Sequence, residues 1–261
     1  MQTDPAPSTA PATAAVADAD FMSMLVHQLT TPLGTMRWYA ELLQTGKMTN
    51  PLDSAQADMV NEILLGATRM SNLLNGIHDI SRIEQNKFTD EPASVQLADI
   101  ITTVQNQQQS EITAKGFSFN VTVDQSVPNV VARPSLITLV VQNLVSNAIK
   151  YTPEKGTIQI TLRQATNEEA ARCKAPGESC VLVSVADTGY GIPKDQQALV
   201  FSKFFRGDNV ASMGIEGNGL GLAAVAAAVS KLGGALYFDS EEGQGTTMFV
   251  VLPTTPLKSS T

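Results

Sequence analysis

The chain has 261 residues, 43% apolar and 16% charged, which is enough apolar content for packed cores and too little charge for a disordered polypeptide. Lys and Arg number 17 against 25 Asp and Glu, a net charge of −8 spread over both halves, so no basic excess marks a nucleic-acid footprint. No apolar run reaches the ~18 residues that a membrane helix needs, and the first 20 residues lack the Lys or Arg that opens a secretory signal. Cys173 and Cys180 bracket a polar segment with no His or further Cys nearby. They read as two free thiols in a loop rather than a metal site, in a reducing, cytoplasmic setting.

Residues 1–19 are rich in Ala, Pro and Thr and read as a disordered leader. From Asp20 onward Leu25, Leu29, Leu33, Met36, Ala40 and Leu43 recur at spacings of three and four, the pattern of one long amphipathic helix interrupted by Pro32. Residues 45–53 carry Gly, Asn and Pro and predict a helix–helix turn. A second helix follows, with Met59, Ile63, Ala67, Met70, Leu74 and Ile77 on one face, ending near Asn86. An antiparallel hairpin buries only one stripe, so a second copy is its natural cover, giving a dimeric four-helix bundle over residues 20–90.

Beyond Pro92 the pattern is mixed. Helices are expected over 96–113, 134–151 and 220–232, and strands over 117–123, 130–131, 157–162, 180–186, 235–239 and 246–252. Helices on one face of a sheet make an α/β sandwich over residues 91–253, with a short tail at 254–261. The whole chain is therefore α+β.

Four short motifs in this second part carry candidate chemistry. Asn143 and Asn147 are four apart and share a helix face, where neutral amide oxygens suit Mg²⁺ whose charge is balanced by phosphates; Lys150 and Tyr151 follow. Asp187 ends an apolar strand and is followed by Gly189 and Gly191, placing a carboxylate where it can accept a hydrogen bond from an amino group such as adenine's. Gly217, Gly219 and Gly221 open a helix, where backbone N–H groups favour phosphate. The polar stretch before them reads as a lid and includes Phe201, Lys203, Phe204, Phe205 and Arg206. Gly243, Gly245 and Thr246 close the last hairpin as a turn.

In this order the motifs resemble the nucleotide-binding boxes of sensor histidine kinases and the wider Bergerat-fold ATPases. Met24 to Leu33, with His27 followed by Thr31-Pro32-Leu33, resembles the phosphoacceptor box of histidine kinases, and the likeness covers residues ~20–253. It implies that ATP is the substrate and His27 the phosphoacceptor, with Asn147 holding Mg²⁺ beside Asn143. Lys150, Tyr151 and Arg206 would then face nucleotide and phosphate. Asp187 would read the adenine amino group between Gly189 and Gly191, and Gly217, Gly219 and Gly221 would wrap the phosphates. Thr31 matches the position that in many relatives helps to dephosphorylate the response regulator. The implied partners are a response regulator receiver domain and a second copy of the chain, and the implied whole is the soluble portion of a larger sensor.

The sequence departs from the family pattern at named positions. Gln28 stands where a carboxylate usually follows the phosphoacceptor, and Thr30 where Arg is usual. Asn218 replaces the commoner Thr or Ser between the glycines, and Leu232 replaces a His. Gln28 motivates a rival reading, a dimeric ATP-binding scaffold with weak or no autophosphorylation.

Overall fold

The computed structural model describes residues 26, 29–45, 52–173, 179–211, 213, 215 and 217–255. The expected leader, Leu25, His27, Gln28 and most of the expected C-terminal tail lie outside the described residues. The chain divides into two compact units, residues 1–87 and 88–261.

The first unit is a helical hairpin. Helix α1 covers residues 29–44, and α2 covers Ser54–Glu84. The N-terminus of α2 is fixed by a reciprocal cap: Asp53 Oδ1 accepts from Gln56 N at 2.8 Å, and Gln56 Oε1 accepts from Asp53 N at 3.1 Å. Near the start of α1, Thr30 Oγ1 donates to the Val26 carbonyl at 2.7 Å, a back-bond that the usual Arg could not make. Gln44 Nε2 donates across the hairpin to Asn61 Oδ1 at 2.5 Å, which, with the Leu33–Leu74 contact further along, sets the antiparallel register.

The apolar stripe expected on each helix is two half-stripes. Val26, Leu33, Ala67 and Leu74 form the buried seam between α1 and α2, with Ile77 packed against it. Leu29, Met36, Met59, Ile63 and Met70 instead remain exposed, Met59 at 66% and Ile63 at 53%. A stripe more than 100° wide cannot all face one partner helix; its central band does, and its flank does not. Among the described residues no helix is long and apolar enough to cross a membrane.

The second unit is built on a five-stranded sheet. Its strands are β2 (Ser118–Val123), β4 (Thr157–Gln164), β5 (Cys180–Asp187), β6 (Ala235–Glu241) and β7 (Gly245–Pro253), in the order β2-β4-β5-β7-β6. Only β2 and β4 run parallel. A two-stranded antiparallel pair, β1 (Ala93–Val95) with β3 (Val130–Ala132), stands apart, and β1 was not expected from the sequence. Helices α3 (Leu97–Lys115), α4 (Pro134–Tyr151) and α7 (Gly221–Lys231) cover one sheet face: α3 and α7 pack on α4, α4 on β5, and α7 on β6. Pro134 occupies the first turn of α4, where its missing N–H costs nothing. The alternation of β4 buries Ile158, Ile160 and Leu162, and the paired Val181, Val183 and Val185 continue that layer. Two four-residue helices, α5 (Asn167–Ala170) and α6 (Asp208–Ala211), and a 3-10 turn at Gln197–Leu199 also belong to the unit.

Both thiols are free, and Cys173 lies in the connection between α5 and β5 as expected; Cys180 instead begins β5, and both are buried. The polar segment between them concealed that the apolar run of β5 starts at Cys180 itself.

Leu74 lies in the seam of the hairpin, and Leu74→Ala should cost the helical unit about 2 kcal/mol. Thermal unfolding of the full chain, followed by circular dichroism, should show the helical transition lowered and the transition of residues 88–261 unmoved. An unchanged helical transition contradicts this packing.

Candidate active site

One wall of the candidate site is the last two turns of α4. Asn143 and Asn147 are both half-buried on the face turned toward the first residue of α7. Asn143 Nδ2 donates to the Leu139 carbonyl at 2.9 Å, which fixes the amide and leaves Oδ1 uncommitted. A Cβ at Gly221 would stand 2.7 Å from that Oδ1, so glycine lets α7 begin this close to the Asn143 amide, with Asn147 Nδ2 at an ordinary contact distance of 3.9 Å. The Asn147 side chain has no hydrogen-bond partner among the described residues. A turn later, Lys150 Nζ donates to the Tyr151 hydroxyl at 2.8 Å, with the ammonium 4.4 Å from the ring centre. The backbone at Gly217 passes directly over Lys150 Nζ and Tyr151.

The opposite end is organised by Asp187, the last residue of β5. Its Oδ1 accepts from Gly189 N at 2.8 Å and from Thr246 N at 3.3 Å, while Oδ2 has no partner among the described residues. Burial pushes the carboxyl up to about 6, and the two backbone donors only partly offset that. Gly189 lies against the Tyr151 carbonyl, which also accepts from Tyr190 N at 3.1 Å. The segment after β5 is thereby docked on the C-terminus of α4. The Gly191 carbonyl accepts from Asn209 Nδ2 at 3.1 Å, tying this segment to α6.

The third side is the expected lid. Gly219 has φ +67°, and Phe204 N donates to its carbonyl at 2.9 Å. Phe204 also adopts positive φ, 65°, and is 61% exposed. A side chain at 219 would meet the Phe204 backbone carbon at 2.5 Å, so the two segments fit only through this glycine. Arg206 Nη2 donates to the Ile215 carbonyl, while Arg206 Nε is buried with no partner among the described residues. Arg206 is also close enough to Tyr151 to act on it electrostatically. Burial, the larger influence, raises the phenol above its ordinary value and the guanidinium opposes that.

Asn143, Asn147, Lys150, Tyr151, Asp187, Gly189, Gly191, Arg206, Gly217, Gly219 and Gly221 thus all fall in the second unit around one site. Thr31 is exposed on α1 in the first unit, and His27 and Gln28 lie outside the described residues. Sequence reasoning passed over Thr246, taken as part of a turn, and Ser240. Ser240 Oγ accepts from Ile192 N at 2.9 Å and bonds Thr246 Oγ1 at 2.8 Å, so both hold the Asp187 end together. The one signal that finds Thr246 is strand register, which places it opposite Asp187.

The family model described as Histidine kinase-, DNA gyrase B-, and HSP90-like ATPase matches residues 132–256, and the His Kinase A (phospho-acceptor) domain model matches residues 17–86. Sensor histidine kinase WalK of Bacillus subtilis (strain 168) is 31% identical over 244 residues, covering 90% of this chain and 36% of WalK. Sensor histidine kinase GlrK of Escherichia coli (strain K12) is 30% identical over 233 residues, covering 89% of this chain and 46% of GlrK. The chain therefore spans less than half the length of these curated relatives. Among solved structures, full-length ShkA superposes with a TM-score of 0.69 at 24% identity over 92% of this chain and 47% of its own, a likeness of fold. The catalytic domain of histidine kinase ThkA gives 0.52 at 27% identity over 64% of this chain and 97% of its own.

The Asp187 geometry has a measurable cost. The folded carboxyl binds its proton more tightly than the unfolded one, so its contribution to stability is fully present below about pH 4 and is lost as pH rises through about 6. Asp187→Asn should therefore raise the unfolding free energy of the second unit at pH 7, by on the order of 1–2 kcal/mol, and change it little at pH 4. Urea titrations at the two pH values check this; equal effects at both contradict a buried, raised carboxyl.

Proposed function

Because the chain belongs to the sensor histidine kinase family, with a phosphoacceptor region and an ATP-binding domain in one polypeptide, we propose that it transfers the γ-phosphoryl group of ATP to His27. From His27 the group passes to an aspartate on the receiver domain of a separate response regulator. The observation that carries this reading is the convergence of unspent hydrogen-bonding groups on one site: Asp187 Oδ2, the Asn143 and Asn147 amide oxygens, and Arg206 Nε.

Each group has a place in that chemistry. Asp187 Oδ2 accepts from the adenine amino group, a bond worth most when the carboxyl is ionised. Gly189 and Gly191 shape the pocket for the base, and Tyr151 lines it. The amide oxygens of Asn147 and Asn143 are hard, neutral donors of the kind Mg²⁺ accepts. Asn147 and Asn143 would hold the cation together with the nucleotide phosphates, which would supply the negative charge that the neutral amides lack. When bound, Mg²⁺ supplies charge neutralisation on those phosphates. Lys150 and Arg206 add positive charge on the protein side, and the backbone of Gly217, Gly219 and Gly221 closes over the phosphates.

At His27, Nε2 attacks phosphorus; an N–P bond forms as the bridging P–O bond breaks and ADP leaves. The Gln28 amide oxygen can accept a hydrogen bond from the proton on the other ring nitrogen, which would fix the tautomer but provide no charge and no base. Autophosphorylation is therefore slow but real. Thr31, exposed one turn beyond His27 in sequence, serves the reverse traffic by orienting water for dephosphorylation of the regulator. A second copy of the chain covers the exposed flank of Met36, Met59, Ile63 and Met70.

Incubation with γ-labelled ATP should place acid-labile label on the protein, and His27→Gln should abolish it. Gln28→Glu should accelerate labelling about tenfold, or ~1.4 kcal/mol of barrier. Nucleotide binding without label would return the chain to the scaffold reading. Light scattering should give a dimer, and Ile63→Asp combined with Met70→Asp should give a monomer; a monomeric parent protein contradicts the bundle.

A further inference from the structure

The sheet face opposite α3, α4 and α7 carries a buried apolar cluster at the Cys180 end of β5. There residues 165–173, which follow β4 and carry α5, lie over the outer face so that Ala170 and Cys173 pack with Cys180, Leu182, Phe249 and Val251. This cover is held from its rim. Arg163 forms a two-pronged ion pair with Glu169 at 2.8 and 2.7 Å, a bond that holds the Glu169 carboxyl down at about 2. The Arg172 guanidinium lies 4.5 Å from the Tyr237 ring centre. Beneath it, the Cys173 thiol donates to the Val251 carbonyl at 3.6 Å and touches the thiol of Cys180, and both cysteines are buried.

We propose that Cys173 and Cys180 are a redox pair that a hydroperoxide closes into an intramolecular disulfide, fastening the cover to the first residue of β5. The hydroperoxide oxidises one thiol to the sulfenic acid, its O–O bond breaks, and one water or alcohol leaves. The second sulfur then attacks the sulfenic sulfur, the S–O bond breaks, a water leaves and the S–S bond forms. Two electrons pass from the thiols to the peroxide bond, and both thiol protons end in the released products. The neighbouring thiol is already in contact, so the second step is intramolecular and outruns further oxidation of the first sulfur. This pair is remote from the candidate active site: Cys180 and Asp187 are the opposite ends of β5.

The closed cover also governs the rate. Burial pushes the Cys173 thiol up to about 12, followed in size by its contact with Cys180, so the closed form presents no thiolate there to an oxidant. Reaction proceeds from molecules in which the rim ties have opened. Once formed, the disulfide closes a short ring and removes freedom from the open and unfolded chain, so the cover opens less often.

The test uses the full chain treated with hydrogen peroxide, then unfolded and alkylated. Intact mass should show a product lacking two hydrogens and refractory to alkylation, and peptide mapping without reductant should join Cys173 to Cys180. Dithiothreitol should reverse it, and amide exchange in residues 167–173 should slow in the oxidised form. Glu169→Gln, which loosens the rim, should form the bond several-fold faster. Two thiols that remain alkylatable after oxidant, or sulfinic and sulfonic acids accumulating on unlinked cysteines, overturn the proposal. An unchanged rate in Glu169→Gln overturns the gating by the cover.

Discussion

The second unit depends on one constraint: a carboxylate at the end of β5 that has lost much of its water and must be held by backbone amides. Asp187 Oδ1 takes Gly189 N and Thr246 N together, which joins the segment after β5 to the start of β7. From that joint the rest of the site is located. Gly189 sits under the Tyr151 carbonyl, so the C-terminus of α4 is fixed relative to β5. Ser240 bonds both Ile192 N and Thr246 Oγ1, so β6 is fixed as well. The ionised carboxyl is disfavoured by burial, and its Oδ2 is left with no protein partner to relieve that cost. Under the proposed function the relief comes from the substrate, which is how a binding site differs from a satisfied turn.

The other half of the site depends on close approach rather than on charge. α7 can begin beside Asn143 and Asn147 because its first residue is Gly221, and the Ala-rich sequence that follows buries Ala223, Ala224 and Ala228. The lid meets the same helix through Gly219 and Phe204, both at positive φ. The backbone and the amide side chains that would face phosphate under the proposed function are thus brought together by glycines, through the bulk they lack.

Much of this was legible in the sequence for identifiable reasons. Helix α4 announces itself by Leu136, Val140, Leu144 and Ala148 at helical spacing, and β4 by the alternation of Ile158, Ile160 and Leu162. Asp187 was visible because a charged residue ends an apolar run and glycines follow. Strand β1 was not, since three residues carry no period and Ala93–Val95 become a strand only by pairing with Val130–Ala132. Thr246 was missed because its role comes from register, which places it across from Asp187, fifty-nine positions away in the chain. The hairpin showed the same limit. Spacing put Leu74 and Met70 on one apolar face but could not tell that Leu74 meets α1 while Met70 stays exposed. The contact between Cys173 and Cys180 was hidden by the polar residues between them.

The most direct test of the account follows the Asp187 carboxyl carbon by nuclear magnetic resonance through a pH titration, with and without ATP. The account predicts titration near 6 in the free protein, and a fall well below that value when the adenine amino group occupies Oδ2. A carboxyl that titrates in the ordinary aspartate range and ignores ATP would contradict it.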